Sequence, residues 1–430
     1  MALSAGLLLL LPSLSMAENR IDIVRPDAPA LAAHGTYGVG RTTLELTNPD
    51  QADVPAVLTG DKNARRDRPL AVEVFYPAAN VTPVAIDAML RDGSMIKLHG
   101  RSAPDVAPDR SGAPYPLVII SHGYPGNRFL LSHLAENLAT KGYVVASIDH
   151  TDSTYDNKGA FEVQLVNRPL DQKFVLEEMD RLSREEGTLL GGLLSAERTG
   201  LIGFSMGAYG AVISSGGSLT EEAVAAKREQ LGNLLTQHRT GSAEHEELVD
   251  DRLKAVIAIA PWGRNAGYFS TESLSGLEAP ALFVAGSHDD ISGYEKGVRK
   301  IWEESVHSDR FLLTFEYANH NAAAPMPAPE ESYAFNEELG FAPFNHYADP
   351  VWDTVRMNNV LQHFSTAFLG LHLKQNDEMG TYLDLIPNAG DGVSALDENG
   401  HPKPEHTYWR GFPARTAMGL TFEHLEPLVD

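Results

Sequence analysis

Six short apolar runs, none of them alternating with polar residues, do most to limit what this chain can fold into. They are Leu117 to Ile120, Tyr143 to Ile148, Leu201 to Phe204, Ala255 to Ala260, Ala281 to Ala285 and Leu312 to Tyr317. A strand covered on one face alternates, whereas one covered on both faces reads as a continuous apolar run. Helical patterns lie between them. Leu130, Leu131, Leu134 and Leu138 share one face, and Phe174, Val175, Met179 and Leu182 another, with Pro169 and Asp171 as its start signals. Near the end, Trp352, Val355, Leu361, Phe364, Phe368 and Leu371 describe a long amphipathic helix. Strands alternating with helices predict an α/β protein with a doubly wound, mainly parallel sheet.

Outside this frame, Leu44 to Thr47 and Leu70 to Tyr76 are expected as opening strands, with Ala64 to Arg68 as a loop between them. Residues 77–115 read mostly as connection. Residues 216–251 are polar and helix-prone, either an inserted helical cap or a solvated helix pair, and 376–430 read as an extension wrapping the surface. At the start, Ala5 to Leu11 is too short to span a bilayer, and Ser15-Met16-Ala17 offers a small-residue cleavage site. Residues 1–17 are thus expected as an export signal ahead of a single domain at 18–430, and no later segment is apolar enough to predict a membrane span. A formal charge of −24 argues against a nucleic-acid partner.

The chemistry centres on Gly203-Phe204-Ser205-Met206-Gly207, a G-x-S-x-G that follows an apolar run and opens a small-residue helical segment. In that setting the serine sits on a tight strand-to-helix turn, which predicts a nucleophile. A serine hydroxyl needs a base, and the base an orienting carboxylate. Asp289 and Asp290 follow one later apolar run and His320 the next, so all leave the same sheet edge as Ser205. Asp289 is preferred because apolar Ile291 follows two places later, with Asp290 as the alternative. Ser121-His122-Gly123-Tyr124 follows another run, and its backbone is expected to supply the Tyr124 N–H to an oxyanion hole completed by Met206. His122 is read as supporting that loop, a second catalytic histidine being the other reading. Trp262, after Ala260-Pro261, is expected at the rim of the site opposite Tyr124, the alternative being a packing role.

Taken together, the G-F-S-M-G elbow, the H-G-Y loop and the Pro-Trp pair resemble the α/β-hydrolase branch that holds bacterial cutinases and polyester hydrolases. Tyr37 to Arg41 and Arg68 to Pro77 resemble the platelet-activating-factor acetylhydrolase and dienelactone-hydrolase-like esterases. The resemblance spans roughly residues 35–210 and 255–375. It implies an α/β-hydrolase fold, a Ser205-His320-Asp289 triad, oxyanion donors at Tyr124 and Met206, and an aromatic clamp of Tyr124 and Trp262. Two departures stand out: Phe204 occupies a place where cutinases carry Trp or His, and a chain without cysteine cannot use the thiol nucleophile of true dienelactone hydrolases. The expected activity is hydrolysis of a carboxylic ester, small or polymeric, by a secreted or periplasmic enzyme. An amidase or peptidase with the same triad is the rival, and a silent binding protein would show a lost triad member. No H-E-x-x-H, no P-loop and no G-x-G-x-x-G after a strand is present, so no metal and no organic cofactor is expected.

Overall fold

A computed structural model describes residues 18–428 of the chain; the expected export signal at 1–17 lies outside the described residues. The main sheet contains β1 (Gly38–Ala52), β2 (Arg65–Ala78), β3 (Ser102–Pro104), β4 (Tyr115–Ser121), β5 (Val144–Asp149), β6 (Leu194–Phe204), β7 (Leu253–Ile259), β8 (Ala281–Gly286), β9 (Arg310–Phe315) and β10 (Leu420–Leu425). Their spatial order is β10-β9-β8-β7-β6-β4-β5-β2-β1-β3. Strands β5, β4, β6, β7, β8 and β9 run parallel, and they are the six apolar runs of the sequence. Their lack of alternation has a direct cause. Val118, Ile120, Ile202, Ile257 and Ile259 feed the core on one face, while Leu117, Ile119, Leu201, Val256 and Ala258 feed the core on the other.

Helices α1 (Ser132–Thr140) and α4 (Thr354–Lys374) cover the first face, and α2 (Phe161–Ser183) and α3 (Met206–Ser214) the second. In α4, Asp353 caps the amino end by accepting from the Arg356 N–H at 2.8 Å, and Leu361, Phe364 and Phe368 are buried. No helix among the described residues is long and apolar enough to cross a membrane.

Four local expectations give way to tertiary context. Ala64 to Arg68 is not a loop: Arg65 opens β2, which pairs with β1 down to Ala52. The 77–115 connection carries strands Ile86–Met89 and Met95–His99, which form a second small sheet with Asn19–Arg20. Pro169 does not start α2 but lies inside it. Proline cannot bond the carbonyl four residues back, and that carbonyl, of Leu165, accepts the Tyr209 hydroxyl at 3.1 Å instead. Nor does 376–430 merely wrap the surface. It supplies edge strand β10, antiparallel to β9, and a buried Trp409 packed on Phe364 and Phe412.

The arginine that was expected in a loop has a demanding position. Arg68 is 1% exposed and grips Asp171 of α2 with two hydrogen bonds of 2.7 and 2.8 Å. Burial by itself would raise the Asp171 carboxyl, but the Arg68 charge and the bonds from Arg68 and His150 outweigh it and hold it well below the usual carboxylate range. Arg68→Met is expected to cost about 3–5 kcal/mol, because it leaves a buried carboxylate without its cation. Urea unfolding measures this, and a loss under about 1 kcal/mol would show the pair to be dispensable.

Candidate active site

The parallel strands end at one edge, and the loops leaving it converge. Ser205 follows β6 directly and is held at φ 54°, ψ −111°, a conformation that non-glycine residues adopt only when their surroundings enforce it. The enforcement is steric. A Cβ on Gly207 would come within 2.0 Å of the Ser121 carbonyl oxygen, and one on Gly203 within 2.4 Å of the Gly207 carbonyl oxygen. Only glycine at both places lets the turn close against β4.

His320, five residues beyond β9, accepts the Ser205 hydroxyl on Nε2 at 2.9 Å and presents Nδ1 to both Asp289 oxygens at 3.0 Å. Asp289 is buried and also accepts the N–H groups of Ile291 and Ser292 at 2.9 and 2.8 Å. Those bonds lock the carboxylate plane. Its neighbour Asp290 is exposed and has no hydrogen bond to the imidazole, so of the two acids only Asp289 lies in the hydrogen-bonded line. Phe204 sits beside His320 with ring centres 5.2 Å apart. Phe204 thus gives the imidazole an apolar neighbour.

Ser205 and His320 open into a cavity of about 360 Å³, lined also by Gly123, Tyr124, Asp290 and Ile291. The lower end of the range for small-molecule sites is near this size. Met206 is the first residue of α3, so its N–H has no acceptor within the helix. The Tyr124 N–H meets no acceptor among the described residues. Trp262, expected at the rim, does not line the cavity. Its ring packs edge-on against Phe161 at 4.9 Å, and Phe161 stands between it and Tyr124, 5.7 Å away. The clamp of Tyr124 with Trp262 is therefore corrected: Phe161, from the amino end of α2, fills the space between the two rings.

His122 is buried. Its Nδ1 donates to the Gly123 carbonyl at 2.7 Å, while Nε2 accepts the His150 N–H at 3.3 Å. Burial and the neighbouring Arg168 push its pKa well below the usual histidine value, which keeps it neutral and within the loop's own bonding. The segment 216–251 forms helices Glu221–Leu231 and Ala243–Leu248, and neither lines the cavity. It lies along α2, with His238 bonded to the Val166 carbonyl at 2.7 Å and Lys227 paired with Glu162 at 2.9 Å.

Several polar groups had no signal in the sequence. Arg91, Asn321 and His346 join the cavity from segments without periodic pattern. Arg91 donates to His346 Nδ1 at 3.4 Å, which leaves the ring proton on Nε2. Burial, with Arg91 and His320 nearby, brings His346 down to about 3, so the ring is neutral. Beneath the 121–124 loop lies a second serine-histidine-aspartate line. Ser121 Oγ meets His150 Nε2 at 2.8 Å, and His150 Nδ1 meets Asp171 at 2.8 Å. Ser121, His150 and Asp171 are all fully buried and none of them lines the cavity at Ser205; this line ties β4 and β5 to α2.

Comparison with known proteins agrees with this architecture. The family profile of platelet-activating factor acetylhydrolase, isoform II, matches residues 101–179. A platelet-activating factor acetylhydrolase from Bos taurus is 38% identical over 63 residues, a stretch covering 14% of this chain and 14% of that protein. A ferulic acid esterase from Streptomyces cinnamoneus superposes with a TM-score of 0.56 at 21% identity, covering 84% of this chain and 94% of that one. Its large sheet, flanking helices and serine elbow give the chain the α/β-hydrolase fold.

Proposed function

We propose that the protein hydrolyses carboxylic esters through an acyl-enzyme on Ser205. The observation that carries this reading is the continuous hydrogen-bonded line from Ser205 through His320 to buried Asp289, opening on a cavity. In this mechanism His320 Nε2 takes the hydroxyl proton as Ser205 Oγ attacks the ester carbonyl. The charge that moves to the carbonyl oxygen meets the N–H groups of Met206 and Tyr124, each worth about 3–4 kcal/mol in such a site. Collapse expels the alcohol, which takes the proton from His320. Water, deprotonated by the same nitrogen, then releases the acid and restores Ser205.

The reading covers short and aromatic acyl groups. Tyr124 lines the cavity with Phe161 behind it, and a ferulic acid esterase shares the fold. Aromatic polyesters are the polymeric form of the same bond. Export rests on the apolar run and small-residue site within 1–17.

A panel of p-nitrophenyl acetate, butyrate, benzoate and ferulate, their anilide counterparts and an aromatic polyester film tests this reading. Ester turnover with a p-nitrophenol burst is expected. Comparable kcat/KM on anilides would favour the amidase reading. Absence of turnover together with no labelling of Ser205 by a fluorophosphonate would overturn the enzyme reading altogether.

A further inference from the structure

Arg168 lies about two turns inside the amino-terminal half of α2 and is fully buried, yet no carboxylate among the described residues comes within ion-pair distance of it. The acid one turn further on, Asp171, is taken by Arg68. Arg168 instead gives its donors to oxygens of uncharged groups. It bonds the carbonyl of His122, the carbonyl of Gly123 at 2.8 Å, the Ser153 hydroxyl and, through Nε, Gln164 at 3.2 Å. Burial pulls its pKa down to about 9. Burying a cation without a counter-ion is costly, and here two consecutive carbonyls of one loop share it.

We propose that Arg168 is the positioning residue of the oxyanion site, holding the Gly123–Tyr124 peptide by its carbonyl so that the Tyr124 N–H faces the cavity. The proposal rests on the reading of Ser205 as the nucleophile of an ester hydrolase.

Three observations carry it. The Gly123 carbonyl and the Tyr124 N–H belong to the same trans peptide unit, so fixing the oxygen on one side fixes the N–H on the other. That oxygen is held by two donors, Arg168 and His122 Nδ1, which removes the freedom of the peptide to rotate. The loop is also pressed against the nucleophile: a Cβ on Gly123 would lie 3.1 Å from the Phe204 ring and 3.5 Å from Ser205 Cβ. A charged donor on the carbonyl polarises the peptide and strengthens its N–H as a donor. The planar fork of guanidinium suits two adjacent carbonyls, which the point charge of lysine does not reproduce.

The test compares wild type with Arg168→Met, Arg168→Lys and Ser153→Ala. Each is measured for kcat and KM on a p-nitrophenyl ester and for affinity toward an alkyl trifluoromethyl ketone, whose adduct with a serine carries an oxyanion. Arg168→Met is expected to lose about a hundredfold in kcat with KM within about threefold, and to lose ketone affinity by a similar factor. Arg168→Lys is expected to lose about tenfold in both, and Ser153→Ala less than that, in proportion. A residue that only packs α2 would lower the melting temperature without this parallel fall. Should Arg168→Met fail to fold, Lys and Ala decide: wild-type kcat in Arg168→Lys, or a fall in kcat with ketone affinity unchanged, overturns the proposal. Wild-type protein that neither turns over esters nor binds the ketone through Ser205 would instead sink the underlying hydrolase reading.

Discussion

Ser205→Ala is expected to reduce ester turnover by at least about ten-thousandfold while leaving the fold intact, since loss of a triad nucleophile typically costs that much or more. The geometry explains why little would remain. Among the described residues no other serine bonded to an imidazole lines the cavity: Ser121, which bonds His150, is fully buried beneath the loop, and Ser287, which meets His288, is not part of the lining. Alanine fits the same turn, because the constraint comes from Gly203 and Gly207 rather than from the hydroxyl. Single-turnover kinetics on a p-nitrophenyl ester, with circular dichroism as the check on folding, provide the measurement. A fall of less than about a hundredfold would place the nucleophile elsewhere.

Asp289→Asn is expected to lower kcat by about a thousandfold or more at neutral pH, against about threefold at most for Asp290→Asn. The N–H groups of Ile291 and Ser292 both donate to the Oδ1 position, so an asparagine keeps its carbonyl oxygen there. Its NH2 group then takes the Oδ2 position, 3.0 Å from His320 Nδ1. A donor facing Nδ1 favours the tautomer with the proton on Nε2, which can no longer accept from Ser205. Asp290 is exposed and has no bond to His320, so its amide changes only the charge at the cavity rim. The pH–rate profile of each variant separates the two roles. Equal losses at both positions would mean that rim charge, not tautomer control, governs the rate.

How much of this was legible before the structure depends on how local each feature is. The six central strands could be read because burial on both faces writes itself into consecutive residues. Elbow, acid and base could be placed at one sheet edge because each lies on the segment that leaves a strand's end, and parallel strands end together. The choice of Asp289 over Asp290 leaned on a neighbouring apolar residue; in the structure Asp289 is the acid that meets His320. Arg68 was misread because a charged run signals a loop, and its partner Asp171 lies 103 residues away. Pro169 was misread because the Leu165 carbonyl that it leaves free finds Tyr209, 44 residues on from Leu165. Trp262 follows its strand by a few residues, but Phe161, from a helix whose start had been missed, packs against both Trp262 and Tyr124.

The sequence by itself thus determined the parallel α/β frame, the serine turn and the strand ends from which His320 and Asp289 emerge. Only the tertiary structure decided which polar groups meet: Arg68 with Asp171, Arg168 with the carbonyls behind Tyr124, and Arg91 with His346 inside the cavity. The physical reason is that apolar burial is a property of a segment and leaves a period in its residues. A hydrogen bond in the core is a property of a pair, and its worth depends on both groups losing water together.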